Sequence, residues 1–140
     1  MTQTAIFGPC LAMMLLTLAV WVYLYILRLG FIVSRGVDPQ DLATPEKLAE
    51  RLPLSTLNPS NNFKNLFELP VLFYGLCLYL FVTGQVDGGY VNAAWVFAGF
   101  RGLHSAVHCT INRVTLRFAF YLIAALALWA MVVRAALGYL

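Results

Sequence analysis

Long apolar stretches alternate with short polar segments along the chain. No charged side chain occurs over residues 1–27, and the apolar run from about 6 to 31 is long enough to cross a hydrocarbon layer of about 30 Å as a helix. Because no Lys or Arg precedes this run and no small-residue cleavage site follows it, we interpret it as a membrane span rather than a signal peptide. Three further apolar stretches cover residues 69–86, 88–100 and 118–133.

The third apolar stretch decides the predicted architecture. Its thirteen uncharged residues, 88–100, rise only about 20 Å as a helix, so the helix must continue past Arg101 to cross the bilayer. That continuation places Arg101 and His104 at membrane depth. The pattern therefore predicts an all-α, four-helix integral membrane bundle that forms one domain over residues 1–140, with a polar loop over 35–62 and spans at about 6–31, 63–83, 90–110 and 115–135.

The polar loop carries turn and capping signals of its own. Thr44-Pro45-Glu46 is typical of the capped start of a short helix, and Pro53 is expected to end that helix. Asn58-Pro59-Ser60 then favours the start of the second long helix. Pro70 cannot donate a backbone hydrogen bond to the Leu66 carbonyl, so we expect the second helix to kink there.

Composition supports a membrane protein and excludes several other classes. The chain is 61% hydrophobic and 11% charged, whereas globular proteins carry roughly 25% charged residues, so much of its surface must contact lipid. A net charge of +3 without a basic run does not favour nucleic acid as a partner. The three cysteines are scattered and indicate neither a disulfide framework nor a thiolate metal site.

The basic residues predict the orientation. They cluster in or beside the 35–62 loop and at the turn that holds Arg113 and Arg117, whereas the turn between the second and third spans carries only Asp87. Because cytoplasmic loops are enriched in Lys and Arg, we expect the polar loop in the cytoplasm and both termini on the opposite side.

Polar side chains meet at one predicted depth near the cytoplasmic end of the bundle. They fall on the second, third and fourth helices, at spacings of three and four that place each set on one helix face: Asn61, Lys64 or Asn65, and Glu68; Arg101, His104, His108 and Asn112; and Arg117 and Tyr121. Intramembrane ionisable groups usually mark functional sites. One carboxylate cannot neutralise three cations, so an anionic ligand from the cytoplasm is favoured. A buried structural Glu68–Arg101 ion pair is the alternative.

Three motifs in order resemble the MAPEG superfamily, the membrane-associated proteins in eicosanoid and glutathione metabolism. They are Asn65-x-x-Glu68-x-Pro70, Arg101-x-x-His104-x-x-x-His108 and Arg113-x-x-x-Arg117-x-x-x-Tyr121. The resemblance covers nearly the whole chain. It implies a homotrimer that binds glutathione between subunits near the cytoplasmic face and acts on a lipophilic small molecule from the membrane lipid.

The resemblance also implies residue roles. Arg117 corresponds to the arginine that stabilises the glutathione thiolate in family enzymes, and Arg101 is assigned to ligand binding or structural pairing. His108, a candidate catalytic residue, stands where the eicosanoid enzymes have a tyrosine, and Asn61 stands where they have an arginine. These departures argue against a leukotriene or prostaglandin synthase and favour a general member, expected in a bacterial inner membrane. The remaining glutathione contacts implied are Lys64, Asn65, Glu68, His104 and Tyr121.

Two other functions fit the same residues. His104 and His108, four apart on one helix face, could hold a metal or haem iron together with Glu68, although Arg101 one turn away disfavours a cation. Alternatively, the protein is a noncatalytic membrane protein of the same fold that uses its cavity only for binding. Our prediction is a glutathione transferase or peroxidase without a metal.

Overall fold

The computed structural model describes residues 2–140, and this part of the chain forms six α-helices, two short 3₁₀ turns and no strand. The 3₁₀ turns cover Gln3–Ile6 and Pro39–Leu42. The helices are α1 (Phe7–Arg35), α2 (Pro45–Arg51), α3 (Leu54–Asn65), α4 (Leu69–Val82), α5 (Gly88–Cys109) and α6 (Val114–Tyr139).

Helix α5 lies at the centre of the bundle. It packs along α6 and also contacts α1 and α3. Buried Ala94 and Ala98 allow this close approach, and the Phe97 ring stacks on Phe73 of α4 with centroids 4.4 Å apart. Small side chains at the contacts and aromatic rings in the core therefore hold the long helices together. The predicted all-α membrane bundle is confirmed.

Three segments are long and apolar enough to cross a membrane: Gln3–Arg35, Leu54–Val82 and Val114–Tyr139. Helix α5, with 22 residues, rises about 33 Å and is long enough. Its composition is less apolar because Arg101, His104 and His108 lie on it, but all three side chains are buried within the bundle. A fourth span at α5 stays a prediction, supported by this burial.

The second long helix is built differently from the sequence prediction. Helix α3 begins at Leu54, directly after Pro53, and contains Pro59, so the start predicted at Asn58-Pro59-Ser60 is wrong. Proline at position 59 removes only one backbone donor within the second turn of α3, which the helix tolerates. Helix α2 has the predicted capped start, because the Thr44 hydroxyl accepts a hydrogen bond from the Lys47 backbone N–H at 3.3 Å.

The expected kink at Pro70 is a full interruption. Helix α3 ends at Asn65, α4 begins at Leu69, and Glu68 between them has a non-helical backbone with φ −96° and ψ −105°. Pro70 lies in the first turn of α4, where a missing N–H costs no helical hydrogen bond. Residues on the two sides of this break therefore do not follow one helical phase.

At the end of the bundle opposite the polar loop, Asp87 connects α5 with α6. Its carboxylate caps α5 by accepting the Tyr90 backbone N–H at 3.0 Å, and it pairs with Arg134 of α6, whose Nη1 lies 2.9 Å from Oδ1. Gly89 permits this approach, because a Cβ there would lie 2.9 Å from Arg134 Nη1. The Arg134 guanidinium holds the pKa of the Asp87 carboxyl at about 2.

Replacing Asp87 separates its two roles. Asp87→Asn keeps a good N-cap but loses the ion pair, whereas Asp87→Ala loses both and should be less stable by about a further 1 kcal/mol. Because the folded pKa is depressed, the ion pair contributes fully above about pH 4 and its contribution is lost as the pH falls towards about 2. Melting temperatures of the parent and Asp87→Asn in detergent should therefore converge over this interval. A gap that does not change with pH would contradict an ionic contribution.

Candidate functional site

The guanidinium of Arg101 is the most unusual group in the bundle. The side chain is 0% exposed, and its Nη2 donates to the Asn65 side-chain oxygen at 2.7 Å and more weakly to the Asn65 carbonyl at 3.4 Å. Its Nε and Nη1 have no hydrogen-bond partner among residues 2–140. A buried charge that is only partly hydrogen-bonded is costly, so this cation is suited to bind an acceptor that carries negative charge.

Arg117 supplies a second cation close by. It lies in the first turns of α6, and its Nη1 donates to the Asn112 side-chain oxygen at 2.6 Å. The partner is a neutral amide, so the positive charge of Arg117 is not neutralised by this contact. Two guanidinium groups thus approach one region of the bundle, and within the described chain neither forms an ion pair with a carboxylate.

The two histidines line the space between these cations. His104 Nδ1 lies 3.0 Å from the Arg117 carbonyl oxygen, which can only accept, so Nδ1 carries a proton. Both imidazoles are buried, with ring centroids 5.7 Å apart. The Tyr121 ring lies 5.9 Å from the His104 ring and 5.9 Å from Arg101 Cζ.

The two histidines, Arg117 and Tyr121 line one pocket of about 230 Å³, whereas the fully buried Arg101 does not line it. This volume is below the roughly 300–1,000 Å³ of typical ligand sites, so the pocket of a single chain is too small to enclose a larger ligand. Five of the eight predicted site residues line this pocket, and their roles stay predictions. The lining residues are Asn65, His104, His108, Val114, Arg117, Phe118 and Tyr121.

Lys64 and Glu68 lie outside this pocket. Glu68 is exposed and accepts a hydrogen bond from Asn65 Nδ2 at 3.0 Å, so the alternative of a buried Glu68–Arg101 ion pair is wrong. Lys64 is also exposed and lines a separate cavity of about 540 Å³ together with Arg28 and Asn61. Their predicted roles in ligand binding therefore require contacts beyond the small pocket.

Sequence reasoning gave no role to a set of mostly buried polar residues beside the pocket. Asn62 is fully buried, accepts a hydrogen bond from the Ser105 hydroxyl at 3.2 Å and donates to Cys109 Sγ at 3.6 Å. Asn112 Nδ2 donates to Asn58 Oδ1 at 3.2 Å. The available signal was spacing: Asn58 and Asn62 on α3 are four residues apart, which places both on the face that meets α5.

The metal alternative gains no support from this geometry. Over residues 2–140, no three His, Cys, Asp or Glu side chains come close enough to hold one ion. His104 and His108 are near each other, but the carboxylate of Glu68 is directed at Asn65, and the neighbours of the imidazoles are arginines. The donor set around the pocket therefore fits an anion rather than a cation.

Comparison with known proteins agrees with the motifs. The model of the MAPEG family matches residues 6–137, which include helices α1 to α5, all but the end of α6, and every residue of the pocket. The chain has no match among curated proteins or among solved structures. Family membership supports a membrane function related to glutathione or eicosanoids, with glutathione as the general ligand or cosubstrate of the family. This protein belongs to the MAPEG family.

Proposed function

We propose that this protein binds glutathione and transfers its thiolate to lipophilic electrophiles that arrive from the lipid. The observation that carries the proposal is a pair of cations without a carboxylate partner among the described residues: the buried Arg101 guanidinium, two of whose nitrogen atoms have no acceptor there, and Arg117, which lines the pocket. Glutathione has two carboxylates and one ammonium group, and it gains a further negative charge when its thiol ionises. It therefore meets the need of this pocket for an anion.

The arrangement around Asn65 supports recognition of the γ-glutamyl end of glutathione. The Asn65 side-chain oxygen accepts from Arg101, and its nitrogen donates to Glu68, so a cation and an anion flank one amide. An α-amino acid group carries a carboxylate beside an ammonium. We expect the carboxylate to contact Arg101 and the ammonium to contact Glu68, with Lys64 available for the second carboxylate.

Arg117 is the residue we assign to thiolate stabilisation. A free thiol has a pKa of about 8.5, and a nearby guanidinium lowers it, so a larger fraction of bound glutathione is ionised at neutral pH. The thiolate sulfur forms a bond to the electrophilic carbon, the leaving group departs with its electron pair, and the thiol proton goes to solvent. Val114 and Phe118 supply an apolar wall beside this centre. His104 and Tyr121 contact the ligand from the other side.

We further propose a homotrimer in which a neighbouring subunit completes the ligand site. A pocket of about 230 Å³ at the surface of one subunit, with Lys64 and Glu68 exposed beside it, supports completion by a second copy. The cytoplasmic position of this site, with both termini on the other side of a bacterial inner membrane, rests on the distribution of basic residues.

Turnover with a panel of electrophiles and lipid hydroperoxides tests catalysis. We expect glutathione conjugation or peroxide reduction by the purified protein in detergent or lipid vesicles, at a rate above that of the uncatalysed reaction. A protein that binds glutathione but turns over no member of the panel would support the noncatalytic alternative. Failure to bind glutathione would contradict both functions.

His108→Tyr tests the most marked departure from the eicosanoid enzymes. Tyrosine retains a hydrogen-bond donor at this position, so we expect glutathione binding to be preserved within about threefold, while the conjugation rate rises. Binding is measured by titration and rate by single-turnover kinetics. Complete loss of binding in a folded variant would contradict the placement of His108 beside the ligand.

A further inference from the structure

Arg117 is held by a chain of two side-chain amides that crosses from α6 to α3. Arg117 Nη1 donates to Asn112 Oδ1 at 2.6 Å, and Asn112 Nδ2 donates to Asn58 Oδ1 at 3.2 Å. Asn58 is buried on α3, and Asn112 is half-buried in the turn between α5 and α6. The amide of Asn112 therefore has a fixed orientation, with its oxygen towards the guanidinium.

We call this chain of hydrogen bonds, Arg117–Asn112–Asn58, the amide relay. The backbone at Asn112 explains why the relay can be built there. Its φ is 45°, in the left-handed region, where asparagine is enriched among non-glycine residues. Its N–H donates to the Val107 carbonyl at 2.7 Å and closes the end of α5. The side chain is thus anchored by a short turn on one side and by Asn58 on the other, five residues before Arg117.

We propose that Asn112, supported by Asn58, is the positioning residue that sets the thiolate-stabilising strength of Arg117. This inference rests on the proposed function. The reason is the chemistry of the group that Arg117 donates to. The neutral amide oxygen of Asn112 fixes the guanidinium without cancelling its charge, whereas a carboxylate in the same place would neutralise that charge. The full positive charge of Arg117 then remains available to the bound sulfur.

Two substitutions of Asn112 distinguish this role from a merely structural one. Asn112→Asp keeps the shape and the acceptor but adds a negative charge, and Asn112→Gly keeps the left-handed turn but removes the amide. Both substitutions should raise the pH at which the thiol of bound glutathione ionises. For Asn112→Asp we expect a rise of about one pH unit, a tenfold change in the ionisation constant, and for Asn112→Gly a rise of about half a unit, roughly threefold. Glutathione affinity should change by less than about threefold in Asn112→Gly.

The measurement is a pH titration of the ultraviolet absorbance of the bound thiolate in each purified variant. The titratable or charged groups around Arg117 are His104 and His108 from α5 and Tyr121 from α6, with the buried Arg101 of α5 beside Tyr121, and they are the same in every variant. Thr110→Ala is the matched control, because this exposed turn residue donates only to the Ala106 carbonyl at 2.6 Å. The midpoint of the thiolate titration in Thr110→Ala should equal that of the parent.

Asn58→Ala provides an independent variant that leaves the turn intact. It removes only the outer link of the relay and should shift the midpoint in the same direction by a smaller amount. Unshifted midpoints in all three relay variants, in a parent that does bind the thiolate, would overturn the relay alone. A parent in which bound glutathione shows no thiolate would instead count against the proposed function, and the relay with it.

Discussion

Replacement of Arg117 by alanine should reduce glutathione turnover by about 10²- to 10³-fold, the loss typical of removing one group that stabilises developing or bound negative charge. The guanidinium lies beside the pocket and is paired only with the neutral Asn112 amide, so its charge acts on the sulfur. Glutathione should still raise the melting temperature of the variant, because Arg101, Asn65 and Tyr121 remain. Turnover is measured with the best electrophile of the parent panel.

Arg113→Ala is the control for this substitution. Arg113 has the same side chain, lies one helical turn earlier and is exposed, so its removal should leave the rate within about twofold of the parent. Equal losses in the two variants would indicate a general effect of positive charge at this end of the bundle. Loss of glutathione binding in Arg117→Ala with unchanged turnover per bound ligand would contradict thiolate stabilisation.

Replacement of Arg101 by methionine should weaken glutathione binding by about 30-fold or more without destabilising the unliganded protein. A buried, incompletely paired charge is costly, and apolar residues of similar volume in its place are often neutral or stabilising by about 1–4 kcal/mol. Loss of a desolvated charge contact with the ligand costs about 2–5 kcal/mol, which corresponds to roughly 30-fold or more in Kd. Melting temperature without ligand and Kd by titration separate the two effects.

The same substitution at the opposite end of the bundle serves as control. Arg134→Met removes an exposed arginine that pairs with Asp87, so it should lower stability slightly and leave glutathione affinity unchanged. If Arg101→Met instead lost several kcal/mol of stability and still bound glutathione, Arg101 would be a structural residue, and the ligand site would lie elsewhere.

Helical periodicity was sufficient to predict the part of the site that lies on unbroken helices. Arg101, His104 and His108 share a face of α5, and Arg117 and Tyr121 share a face of α6. All of these except the fully buried Arg101 line the pocket. Asn65 joined them because it is on the side of α3 that meets α5. Lys64 is one residue earlier, about 100° away around the helix, and contacts a different cavity.

Helical periodicity does not predict helix interruptions or long-range side-chain contacts, and these determine where the remaining residues lie. The interruption between α3 and α4 changes the direction of Glu68, which a continuous second helix had placed beside Arg101. The contact between Asn58 and Asn112 joins residues 54 positions apart, and that between Asn62 and Ser105 joins residues 43 apart. Both depend on how the helices are rotated against each other, which local sequence does not specify.

Hydropathy alone does not identify α5 as a membrane span. The helix falls below the apolar composition of the other long segments because its polar residues face protein rather than lipid. The prediction that the third long helix continues past Arg101 came instead from length, because the uncharged stretch before Arg101 is too short to cross the bilayer. Length and burial together place the polar pocket within the bundle.

Glutathione-dependent thermal stabilisation in detergent tests the central claim most directly, because a ligand that binds the folded state raises its stability as the logarithm of its concentration. Glutathione, S-hexyl-glutathione and glutathione disulfide are compared with cysteinylglycine, which lacks the γ-glutamyl carboxylate and ammonium. We expect saturable stabilisation by glutathione and S-hexyl-glutathione, none by cysteinylglycine, and loss of the effect in Arg101→Met. Equal shifts with cysteinylglycine, or no shift with glutathione, would contradict a pocket built for this anion.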